Sequence, residues 1–87
     1  MSTLTIRALQ SAPELTRNRT VRLAAAGPQL WRVLGPDARV IGHLHRLAHA
    51  DGTRFRARRF HEGARAFLDL GDFWSADDAV DCLRLTR

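Results

Sequence analysis

Lysine is absent from this 87-residue chain, so all 14 of its basic side chains are arginine. Two readings of that bias stand side by side. Arginine makes bidentate contacts with phosphate and guanine that lysine cannot, and an Arg-rich, Ala-rich, lysine-free chain is also what GC-rich coding produces. Cysteine occurs once, at Cys82, which excludes an internal disulfide and the stapled framework of small secreted domains and fits a reducing compartment. No window approaches the roughly 18 consecutive apolar residues of a membrane span. The first residues carry no long apolar stretch of the secretory type. A soluble cytoplasmic protein without a membrane partner is expected.

Signatures of catalysis are missing as well. There is no nucleophile elbow, phosphate loop, metalloprotease helix or dinucleotide fingerprint. Ser75 lies near acids but is placed as a helix cap. Asp77, Asp78 and Asp81 are expected on the exposed side of a helix. His43, His45 and His49 fall on one strand face, and His61 or Cys82 would have to complete a metal site. Their spacing matches no standard zinc pattern. No enzyme, metal or cofactor is expected.

What is present suffices for one small domain. Apolar residues make up 45% and charged residues 26%, values of a chain that folds. A domain of this size buries only about 60% of its unfolded surface, so a partner or a second copy would add stability. The formal charge of +5 is unevenly spread. Residues 1–65 hold twelve arginines against Glu14, Asp37, Asp51 and Glu62, whereas residues 66–87 hold Arg84 and Arg87 against five aspartates. The result is a basic body with an acidic C-terminal piece.

Hydrophobic periodicity predicts an α+β fold, an antiparallel β-meander of three to five strands packed on one C-terminal α-helix. Residues 1–20 form an N-terminal arm or edge element: an edge strand through Leu4 and Ile6, a short helix near residues 12–18, or a flexible arm. Residues 21–87 form a single sheet-plus-helix domain. Strands are expected from Val21 to Ala25, through Trp31 and Val33 after a Gly27-Pro28 turn, and from Arg39 to His49 after a turn at Pro36-Asp37. Asp51-Gly52 reads as a two-residue primed turn, and the strand Thr53–Phe60 returns from it. Gly63 is expected to be the left-handed residue of the next turn. In the strand that follows, Leu68 and Leu70 point one way and Phe67 and Asp69 the other. The period then changes to helical, with Ser75 as N-cap, Asp78 in capping-box position, and Ala76, Ala79, Val80 and Leu83 as one apolar stripe up to about Leu85.

In the strand "TRFRARRF", Phe55 and Ala57 share one face and Arg54, Arg56 and Arg58 the other, about 7 Å apart. Arg59 breaks the alternation and marks a bulge or the strand end. Arg32 alternates with Trp31 and Val33, and His43 and His45 share parity with Arg39. Arg54, Arg56 and Arg58 are therefore the central candidates for a nucleic-acid-binding face, with Arg32, Arg39 and Arg46 in support. An arginine-studded face kept soluble by its charge is the plain alternative.

Residues 55–84 resemble the second half of the plant ethylene-response-factor DNA-binding domain and the related arm-binding domains of phage-type integrases. The matching residues are Leu70-Gly71-Asp72-Phe73, then Ser75, then Ala76-Asp77-Asp78-Ala79. The resemblance implies a three-stranded sheet backed by one helix, with DNA met on the sheet. It also meets a departure, because the family's last strand often carries Arg and Trp at outward positions where this chain has Phe67 and Asp69. The resemblance thus moves any DNA-binding patch toward Arg54, Arg56 and Arg58.

Three functions follow as expectations. The first is non-enzymatic binding of nucleic acid, duplex DNA in particular, through the arginine-rich sheet face. The second is a small protein-binding inhibitor or adaptor of phage or mobile-element type, docking Arg with Trp31, Phe67 or Trp74 on a partner protein. The third is a homodimer that pairs the open sheet face.

Overall fold

Five strands and one helix follow one another along the chain in a computed structural model that describes residues 11–86. β1 (Arg22–Gly27), β2 (Leu30–Leu34), β3 (Val40–His49), β4 (Gly52–His61) and β5 (Ala66–Phe73) pair antiparallel in sequence order, and α1 (Ala76–Leu85) packs on β3, β4 and β5. This is the α+β meander with a C-terminal helix that the periodicity predicts. No helix among the described residues is long and apolar enough to cross a membrane. The strand expected at Leu4 and Ile6 lies outside the described residues. The short helix near residues 12–18 does not form, and the chain there is irregular.

The core follows from strand alternation meeting the helical stripe. Val33, Leu44 and Ala57, from three adjacent strands, are fully enclosed against Ala79, Val80 and Leu83. Each buried Val or Leu contributes roughly 1.5–3 kcal/mol. Leu83 presses so close to β3 that a Cβ on Gly42 would stand 2.4 Å from its Cδ2 and 3.0 Å from the Arg58 carbonyl oxygen. The glycine is what lets the helix sit down on the sheet.

Turn chemistry departs from expectation at three places. The β1–β2 turn is Pro28-Gln29, one residue later than the expected Gly27-Pro28, with Gln29 at φ 55°. The β3–β4 turn is centred on Ala50-Asp51, one residue earlier than the primed turn expected at Asp51-Gly52, and Gly52 opens β4 with a φ of 126°. In the β4–β5 turn the left-handed residue is Arg65, at φ 51°, not Gly63. The Arg65 N–H closes that turn on the Glu62 carbonyl, and His61 Nδ1 accepts from the Ala64 N–H. These bonds hold the turn in a register that leaves the positive φ to the residue entering β5.

Arg59 does not break the alternation of β4. It turns to the helix side and donates to the Leu83 and Thr86 carbonyls, satisfying acceptors that the end of α1 leaves open. At the other end Ser75 caps as predicted, its Oγ accepting from the Asp78 N–H.

The largest correction concerns Asp77. Expected on the exposed side of the helix, it is 4% exposed. Its carboxylate accepts five hydrogen bonds, from the Thr16 N–H and hydroxyl, the Arg17 N–H, and the Asn18 N–H and side-chain amide. Asn18, itself buried, also donates to Asp81 and accepts from Arg84, while Arg17 pairs with Asp78 and Asp81. The segment before β1 is thus tied to the first turns of α1. Burial alone would push the Asp77 carboxyl up, but these donors outweigh it and hold the group well below the usual carboxylate range.

Because the Asp77 pKa is depressed by folding, its stabilisation is complete above the unfolded carboxylate value of about 4 and is lost as pH falls below it. Asp77→Ala is expected to cost about 3 kcal/mol at neutral pH, because buried N–H groups lose their acceptor. It should also flatten the acid limb of a plot of melting temperature against pH. An unchanged acid limb would show that the carboxylate does not govern it. Gly42→Ala is expected to cost about 1–3 kcal/mol by overpacking against Leu83, read in a urea melt.

Candidate functional site

β4 pairs with β3 without interruption from His43↔Arg58 to His49↔Gly52, so Arg54, Arg56 and Arg58 all turn to the face that the helix does not cover. Cross-strand neighbours extend that face. Arg32 lies beside His43 and His43 beside Arg58, forming one rung across β2, β3 and β4. Leu30, His45 and Arg56 form the next rung. On β1, Arg22 has the same parity as Ala24, the partner of Arg32. Five arginines and two histidines share one surface.

Two of the six arginines expected in the site stand apart from it. Arg46 pairs with Phe55 on the opposite face, where its Nε donates to Gln29 Oε1 at 2.7 Å and its guanidinium lies 4.9 Å from the Trp31 ring centre. Arg39 precedes β3 in the turn, and the extra residue Ile41 breaks the parity that would have aligned it with His43 and His45.

The row on β4 is also not a row of free cations. Arg56 grips Asp72 through Nε at 2.7 Å and Nη2 at 3.0 Å, Arg58 Nε donates to Asp69 at 2.8 Å, and Arg54 Nη2 donates to Asp51 at 2.7 Å. The Arg56 bond holds the Asp72 carboxyl below its usual range. Aromatic rings back two of these arginines: the Arg54 guanidinium lies 3.4 Å from the Trp74 ring centre and that of Arg58 4.8 Å from Phe67. The three side chains are only 24–31% exposed, and pairs of this kind add little stability but fix the guanidinium planes. Among the described residues, Arg22 and Arg32 form no ion pair.

Sequence reading missed Arg22 and the aspartates. Simple alternation puts Asp69 and Asp72 on opposite faces, but β5 holds one extra residue, Leu70, between the partners of Ala57 and Arg58. That bulge resets the parity and brings both carboxylates to the arginine face. Phe67 and Asp69 do point outward as expected, and Phe67 stacks edge-on against His43 and Phe60.

The two histidines sit between the cations. Nδ1 of each is enclosed without a hydrogen-bond partner. Burial first, then Arg32 and Arg58, lower the pKa of His43; burial, then Arg58 and Arg56, lower that of His45, against a partial opposing effect of Asp69 and Asp72. Both rings are therefore neutral at pH 7. Among the described residues no group of three or more His, Cys, Asp or Glu side chains is placed to hold a metal ion. His61 is engaged by its own turn, and Cys82 lies half-buried on α1.

No protein-family model matches this chain, and no curated protein or solved structure is significantly similar to it. With the expected ethylene-response-factor and integrase arm-binding type, the structure has in common only the general shape of a sheet backed by one helix.

Because folding depresses both imidazole pKa values, their neutral form favours the folded state. Stability from this source is complete above the ordinary imidazole value of about 6.5 and declines as pH falls through it. Thermal melts between about pH 5 and 7.5 should show that decline. His43→Gln with His45→Gln should remove it while leaving the lower-pH limb, which belongs to the depressed carboxyls of Asp77, Asp72 and Asp81. A doubly substituted protein with the wild-type slope in this window would refute the assignment.

Proposed function

We propose that the protein is a non-enzymatic nucleic-acid-binding module that lays its helix-free sheet face on duplex DNA. The observation that carries this reading is the gathering of Arg22, Arg32, Arg54, Arg56 and Arg58 on the sheet face that no element among the described residues covers. Strands β3 to β5 span two inter-strand spacings, about 10 Å, which suits a major groove about 12 Å wide. The whole sheet spans about 19 Å and cannot lie flat inside that groove. β1 and β2 then come to the groove wall, where Arg22 and Arg32 meet phosphates.

The two kinds of arginine have different roles in this reading. Arg22 and Arg32 carry net charge and supply sequence-independent attraction. Arg54, Arg56 and Arg58 are balanced by Asp51, Asp69 and Asp72, so they add little net charge. Their planes are pre-set, and each keeps Nη hydrogens for a base edge or a phosphate oxygen.

A second reading, docking on a partner protein, is favoured by Trp74. It is 60% exposed and carries Arg54 on its ring, and Trp and Arg are among the residues enriched at the energetic centre of protein interfaces.

Fluorescence anisotropy of a random-sequence duplex at two or more salt concentrations tests the proposal. Arg22→Ala with Arg32→Ala should lower the log-log salt slope by about 2, one unit for each lost phosphate contact. Arg56→Ala with Arg58→Ala should weaken binding with a smaller change of slope. Asp69→Asn with Asp72→Asn should tighten binding and steepen the slope, because it releases two guanidiniums. Absence of duplex binding at about 50 mM salt would overturn the proposal and turn attention to Trp74 and a protein partner.

A further inference from the structure

We propose that the rung Arg32–His43–Arg58 is the seat of a phosphate oxyanion, and that the His43 imidazole takes up one proton from solvent when the anion docks. The inference rests on the nucleic-acid reading above and names the oxyanion as a backbone phosphodiester.

The three side chains stand on adjacent strands in direct cross-strand register. The strand spacing places the two arginine backbones about 10 Å apart with the imidazole between them. A tetrahedral anion resting on the ring is then within reach of a guanidinium on either side. Arg32 forms no ion pair among the described residues, and Arg58 spends Nε on Asp69 and keeps its Nη groups.

The groups facing His43 explain why a proton should follow the anion. β2 contributes Arg32, β4 contributes Arg58, and β5 contributes the edge of the Phe67 ring at 4.8 Å between centres, with Asp69 lying beyond Arg58. His45 lies two residues along the same strand. In the free protein an imidazolium here would sit between two cations, with an enclosed Nδ1 that has no acceptor. The neutral ring wins. A phosphate brings negative charge to the same point and reverses the balance, so the proton becomes favourable only in the complex. His45 differs in a way that makes it an internal comparison. Its β2 neighbour is Leu30, its β4 neighbour is Arg56, and that arginine is already held by both oxygens of Asp72.

The test combines a histidine proton titration by NMR with anisotropy measurements from about pH 5.5 to 8 at constant salt. The probes are random-sequence duplex and, separately, inorganic phosphate. The expected result is that duplex raises the midpoint of His43 more than that of His45, and that affinity strengthens toward acid by up to about tenfold per pH unit. His43→Gln should bind with a flat pH profile and, toward acid, more weakly and with a shallower salt slope than the wild type. The wild-type NMR titration holds independently of whether that variant folds. Duplex binding that is equal at every pH, with the His43 midpoint unmoved, overturns the inference and leaves the nucleic-acid reading intact. A His43 midpoint raised by phosphate but not by duplex overturns the assignment of the seat to a backbone phosphodiester, together with the nucleic-acid reading. No response to either probe overturns both.

Discussion

The carboxylate of Asp77 is the point on which the two ends of the domain meet. It sits in the first turn of α1, where five donors from Thr16, Arg17 and Asn18 converge on its two oxygens. An acid near a helix N-terminus is favourable in itself, since the helix dipole presents positive charge there. Here the same group also supplies the acceptors that the irregular segment before β1 needs, because that segment has no strand partner among the described residues for its N–H groups. Asn18 then passes the connection on to Asp81 and Arg84, so one face of the helix is latched along most of its length. An 87-residue chain has a small apolar core, and this polar latch closes what the core alone would leave open.

With α1 latched at its start and its last carbonyls taken by Arg59, one side of the sheet is committed. The other side is left to chemistry. Arginine occurs on both faces, but it does different work on each. On the helix side Arg46 and Arg59 finish local hydrogen bonding, while on the open side the arginines are arrayed with aspartates, histidines and aromatic rings. The array has a gradient. Toward β5 Arg56 and Arg58 are paired with Asp72 and a shared Asp69, and toward β1 Arg22 and Arg32 have no ion-pair partner among the described residues. A ligand carrying negative charge along one side and polar edges along the other would match it.

In the proposed complex, the neutral histidines between cations are what would respond to charge brought from outside. His43 and His45 are held deprotonated by burial and by their arginine neighbours. The same geometry that excludes a proton in isolation would hold one beside an anion. Asp69 and Asp72 temper the effect at the β5 side, which is why the two histidines are not equivalent.

Residue order and spacing alone specify the elements and the faces that strand period decides. Alternation around Phe55 and Ala57 was enough to put Arg54, Arg56 and Arg58 together, because β4 runs without a bulge through that stretch. The helical stripe of Ala76, Ala79, Val80 and Leu83, with Ser75 before it, was enough to place α1. Tertiary structure decided everything that depends on a partner strand or on distant chain. The extra residues Ile41 and Leu70 shift parity by one, which removes Arg39 from the face and adds Asp72 to it, and period-two reasoning on one strand cannot register an insertion relative to its neighbour. Asp77 looked like a solvated acid because helical spacing sees only the helix. Its burial is set by Thr16 to Asn18, some 60 residues earlier in the chain, brought there by the fold.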